Sequence, residues 1–315
     1  MKILILILVL LSIFSIFIGV KDISIWDIPN LNKGQIHILM LSRIPRLISI
    51  IVAGFGLSIC GLIMQRITQN RFVSPTTAGT MDSAKLGILT SIIIFPGSST
   101  LTKMITSFIF ALAGSFMFLG ILRRIKYRNT VMIPLIGLML GGVLDSITSF
   151  LAYRYDLVQN ISSWLQGDFS MIIKGRYELL YVSIPFVILA FIYANKFTLA
   201  GMGKDLSVSL GLNYNQVVAV GLTIVALISS TVIITVGRIP FLGLIIPNLV
   251  SIYMGDNLKK SLLYTALLGA IFLLFCDILG RIIIYPYEIP IGLTVGVLGS
   301  LIFLYLLARR KGYEA

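Results

Sequence analysis

Apolar runs of roughly 20 residues follow one another along almost the whole chain, divided by short polar punctuation. A spanning helix needs about 20 mostly apolar residues. On that measure, candidate spans fall near 3–20, 47–66, 77–95, 104–122, 131–152, 179–195, 217–236, 241–254, 261–280 and 289–308. The eighth is short and contains Pro247, so it is expected to kink or tilt. Composition agrees: 57% of the 315 residues are hydrophobic and 12% charged. Soluble domains have about 45–50% and about 25%. Too little polar surface remains to wrap a water-soluble core. The expected fold class is all-α: a polytopic membrane protein of about ten transmembrane helices, with no soluble domain attached. The opening "MKILILILVLLSIFSIFIGV" is followed by no small-x-small cleavage site, so it is taken as an uncleaved first span.

The net charge of +13 does not point to nucleic acid, because the basic residues sit in short clusters between apolar runs. With the N-terminus inside, the inner loops collect "RRIKYRN" (123–129), "NLKK" (257–260), the tail "RRKGYEA", Lys2, Arg66, Arg71, Lys196 and Lys204. An even number of crossings then leaves both termini in the cytoplasm. Arg43, Arg46, Arg238 and Arg281 are the exceptions, landing outside. Residues 153–180 form an outer amphipathic connection whose Trp164, Tyr155 and Tyr177 suit the headgroup level. Residues 196–216, on the inner side, are expected to form one or two short helices broken at Gly211.

Small residues recur four apart at Gly54 and Ser58, Gly137 and Gly141, and Gly292, Gly296 and Ser300, which permits close helix approach. The sequence holds no phosphate-binding loop, nucleophile elbow, H-E-x-x-H or C-x-x-C pattern. Cys60 and Cys276 fall inside apolar spans, and His37 has no metal-ligating neighbours, so no cofactor or metal is expected. Two carboxylates stand out inside the spans. Asp277 lies one turn before Arg281, an i, i+4 pair that would hold the arginine in place. Asp145 has no local partner and is expected to face a polar cavity or another helix; as a proton relay it would make the chain an ion-coupled secondary transporter.

Residues 43–89 resemble the second and third spans of the FecCD-type permeases. They share R-x-P-R, M-Q and T-x-N-x-x-x-x-P through Arg43, Pro45, Arg46, Gln65, Thr68, Asn70 and Pro75. Residues 236–307 resemble that family's G-x-I-x-F-x-G-L-x-x-P-H, D-x-x-x-R and E-x-P-x-G elements, with Asn248 where His is frequent and Arg238 inserted. Residues 202–213 are similar to its short cytoplasmic segment, while 72–87 and 160–180 lean towards a catecholate-siderophore sub-branch. The resemblance implies a single permease domain over 1–315, of the type II importer fold. The chain would be the membrane subunit of an ATP-driven importer for an iron–siderophore complex, with haem or vitamin B12 as alternatives. It implies cytoplasmic ATPase subunits, a second homologous permease in a favoured heterodimer, and an extracytoplasmic binding protein. That protein would dock through carboxylates on Arg43, Arg46 and Arg281, pictured as an exposed cationic rim. Residues 199–213, with Gly201, Gly203, Leu206, Leu210 and Gly211, would meet the ATPase. Gly137, Gly141, Asp145, Gly292 and Gly296 are the expected lining of the path.

Overall fold

The computed structural model describes residues 1–19, 32–125, 132–172, 177–255 and 258–310, with the side chains of 259, 260, 307, 309 and 310 left aside. The basic residues of 126–129 and of the tail 311–315, and Lys174 and Arg176 of the outer connection, lie outside the described residues.

Helices account for nearly all of the rest, and no strand occurs among the described residues. In order they are α1 (Lys2–Phe17), α2 (Lys33–Ile38), α3 (Ile44–Ile67), α4 (Thr80–Ile94), α5 (Thr100–Arg124), α6 (Met132–Arg154) and α7 (Val158–Leu165). Then come α8 (Ser183–Ile192), α9 (Ala194–Ala200), α10 (Lys204–Ser209), α11 (Tyr214–Thr235), α12 (Leu242–Met254), α13 (Leu258–Ile282) and α14 (Ile291–Arg310). Among the described residues, five helical stretches are long and apolar enough to cross a membrane, Lys33–Ile67 among them, and a sixth qualifies if Tyr177–Ile192 and Ala194–Ala200, bent by 62°, count as one span. The remaining predicted spans fall on the shorter helices α1, α4, α12 and α14. Among the described residues each predicted segment contains a helix, but the helices are unequal in length.

The second span, expected over 47–66, reaches further out. Pro45 stands in the first turn of α3, yet α2 runs into α3 through a π turn, Leu39–Arg43, where the Ile44 amide donates to the Leu39 carbonyl. Proline has no amide to donate and its ring crowds the preceding turn. One wider turn relieves that crowding and lets the rod start at Lys33. The third span also begins late. Gly79 (φ +73°) starts α4, and the preceding stretch is buried but not helical. Its backbone is satisfied by side chains: Asn70 Oδ1 accepts from the Phe72 amide (2.8 Å), and Thr77 Oγ1 from that of Ser74 (2.8 Å). Asn248, the departure from histidine, donates from Nδ2 to the carbonyls of Arg71 (2.8 Å) and Leu244 (2.7 Å). Such backbone survives at membrane depth only when protein groups satisfy it.

α3 is the centre of the core and is buried almost all round, with α11, α12 and α13 packed on it. Glycines set these distances. A Cβ at Gly61 would run into the backbone of Gly243, and one at Gly54 into that of Gly269 and Ala270. Cys60 and Cys276 are both buried in this core. α4 lies between α5 and α6. α6 turns Leu138, Met139 and Phe150 outward, and α14 does the same with Leu293, Leu301 and Leu304.

Candidate functional site

The candidate residues gather at two ends of the bundle and on a belt between them. The 24 residues of α3 separate the ends by about 36 Å, enough to cross a hydrocarbon layer of about 30 Å.

At the first end stand the three arginines, and they are not an exposed rim. Arg43 and Arg281 are 9% and 6% exposed. The exposed cationic pair anticipated from the sequence is corrected here, and the cause is local chemistry. The last carbonyls of a helix have no partner within it, and an apolar setting supplies none. Arg43 donates to the Ile16 carbonyl (2.6 Å), and Arg281 to those of Ser15 and Ile18 (2.9 Å each) and to the Ser15 hydroxyl. Together they cap the end of α1. Asp277, its side chain 2% exposed, pairs with Arg281 one turn away, as its spacing predicts, and also with Arg46 Nη2 (2.8 Å). Arg46 additionally meets Glu288 (2.7 Å), whose side chain is 28% exposed. The Arg46–Glu288 contact reaches the surface.

At the second end, α9 and α10 form a short elbow. Gly203 at φ +106° admits the turn between them, and Gly211 at φ +78° the turn into α11. Gln69, just beyond α3, donates to the Gly201 carbonyl (3.2 Å) and so anchors the elbow to the bundle. The Ser207 hydroxyl faces inward, donating to the Gly203 carbonyl (2.6 Å). Leu206 and Leu210 point the other way and are 56% and 61% exposed. Beside the elbow is a cavity of about 310 Å³ lined by Ile67, Thr68, Gln69, Leu119, Leu122, Arg123, Ile133, Lys204, Tyr214 and Val218.

The belt lies on α4 and α6. Asp145, without a partner close in sequence, faces another helix: Lys85 Nζ on α4 donates to its Oδ1 at 2.7 Å. The Asp145 side chain is 46% exposed, at the edge of the outward face of α6. Three residues before Lys85, buried Asp82 meets Arg238 at 3.4 Å, and the Arg238 side chain is 42% exposed. Asp82 and Lys85 were missed in the sequence, although two charges three apart inside an apolar run were signal enough. Gly137 and Gly141 do not border an open face. A Cβ on either would strike residues 77–82, so they let α6 pack against α4. Gly292 is pressed against the Gln166 carbonyl, whereas Gly296 has only Pro240 Cγ nearby (3.7 Å). The outer connection is folded into this region: the Asp168 amide donates to the Val236 carbonyl (2.8 Å), and the Arg238 amide to that of Leu165 (3.2 Å).

Among the described residues, a buried helical core with glycine-set spacing, apolar outer faces and paired charges at one end and along one belt mark an integral membrane protein. The match is specific: the model of the FecCD transport family covers residues 5–309, and the chain belongs to that family. It is 63% identical over 313 residues, 99% of both chains, to the petrobactin import system permease protein YclN of Bacillus subtilis (strain 168). Against the ferric-anguibactin transport system permease protein FatD of Vibrio anguillarum the identity is 41%, covering 94% of each chain. In fold it is similar to a solved metal-chelate type ABC transporter in an inward-facing conformation, with TM-score 0.82, 24% identity and 97% of both chains covered.

Proposed function

We propose that this chain is the permease subunit of an ABC importer that carries a ferric siderophore, petrobactin being the first candidate, into the cytoplasm. The observation that carries this is the 63% identity, over 99% of both chains, to a petrobactin import permease. ATP hydrolysis then belongs to separate cytoplasmic subunits, the elbow of α9 and α10 being their contact through Leu206 and Leu210. The opposite end receives the binding protein. The docking role narrows to Arg46, whose Glu288 contact is at the surface, while Arg43 and Arg281 support it by holding α1.

The path is assigned to the face of α6 that carries Asp145, continuing past Arg238 towards Gly296. Half-exposed charges are costly against lipid, and this supports a water-filled passage beside them, formed with a second permease. Gly137 and Gly141 contribute by packing, not by lining. Asp145 as a proton carrier of a secondary transporter is disfavoured, because Lys85 already holds it as a salt bridge.

The experiment is uptake of radiolabelled ferric petrobactin in cells lacking the native permease and expressing this chain with its companion subunits. Uptake is expected to stop when the ATPase loses its P-loop lysine and to persist when the proton gradient is collapsed but ATP maintained. The reverse pattern overturns the proposal.

A further inference from the structure

The cavity at the second end has walls of two kinds. Leu119, Leu122 and Val218 make one side apolar, and Arg123, Lys204 and Gln69 make the other polar and cationic. No acidic side chain lines it among the described residues. Arg123 spends one donor on a long contact, Nη2 to Asn215 Oδ1 at 3.4 Å, and a guanidinium has five. At about 310 Å³ the space reaches the size range of ligand pockets, about 300–1,000 Å³. A bare anion would leave the leucine wall unfilled, and hydrocarbon would leave two cations without a counter-charge from the lining. An amphiphile with a negative head satisfies both, and this end of the bundle, where α3, α5 and α10 meet, is where headgroups lie.

We propose that the cavity binds an anionic phospholipid, its phosphate held by Arg123 and Lys204 and its first chain carbons against Leu119, Leu122 and Val218. Lys204 opens α10, so the headgroup bridges α5 to the elbow and holds it in place. That consequence rests on the proposed ATPase contact; the binding itself does not.

The test is thermal unfolding of the purified, delipidated full-length chain titrated with phosphatidylglycerol, phosphatidylcholine or inorganic phosphate. Phosphatidylglycerol is expected to raise the unfolding temperature by about 3–6 °C, and the other two to leave it unchanged. The double variant Arg123→Gln, Lys204→Gln loses the rise. Leu122→Trp keeps both charges and fills the apolar wall, and it loses the rise as well, which keeps the test decisive if the double variant does not fold. Equal protection by inorganic phosphate overturns the lipid in favour of a free anion. Equal protection by phosphatidylcholine, or a rise undiminished in either variant, overturns the site. Petrobactin uptake failing in cells would sink the functional reading and leave this result untouched.

Discussion

Asp277 is the residue on which the first end depends, because one buried carboxylate answers two guanidinium groups. Removing one partner of a buried pair strands the other and costs about 3–5 kcal/mol. Asp277→Asn is therefore expected to lower thermal stability by that order, read by unfolding in detergent, whatever the binding protein does. Arg46→Gln should act differently. It is expected to weaken capture of the binding protein, measured by pull-down on the intact complex, while ATPase assembly survives; unchanged capture refutes docking at Arg46. The Asp277–Arg281 pair was legible in the sequence because its partners lie one helical turn apart. Glu288 and the α1 carbonyls were not, since they reach Arg46 and Arg281 across 242 and 266 residues and only folding brings them together. The same holds for Lys85 and Asp145, 60 residues apart.

Among the elements, the elbow and the outward face of α6 make separable predictions. Leu206→Asp and Leu210→Asp place charge on exposed apolar knobs, so folding should be unaffected. Uptake should fall while the ATPase continues to turn over, measured as phosphate released per siderophore imported; an unchanged ratio refutes the contact. On α6, Gly142 lies one turn before Asp145, and nothing stands within 4 Å of a Cβ there. Gly142→Cys should react with a membrane-impermeant charged maleimide in the assembled transporter. Leu10→Cys on α1, 57% exposed in the middle of an apolar helix, should not. Equal labelling counts against a wet passage along α6. The helices themselves were legible because apolar length signals a span whatever its neighbours do. Their true ends were not. Pro45 carries the usual mark of a helix start, and only the π turn before it shows that the helix continues outward. The start of α4 is set by hydroxyl contacts within 68–79, which hydropathy does not register.

For the molecule as a whole, the all-helical membrane architecture and the family followed from the repeated apolar runs and the motifs at 43–89 and 236–307. The arrangement of charge did not, because each pairing depends on which helices become neighbours. The cap on α1 carries that dependence into biosynthesis. α1 cannot settle its own final turn when it leaves the ribosome: it waits for guanidinium groups encoded later, the last of them in α13. A nascent chain halted before α13 is expected to leave the end of α1 open to added protease, and one extended past Arg281 to protect it. α1 is thus completed by a side chain 266 residues further along, and errors late in translation should surface as damage to a helix made early.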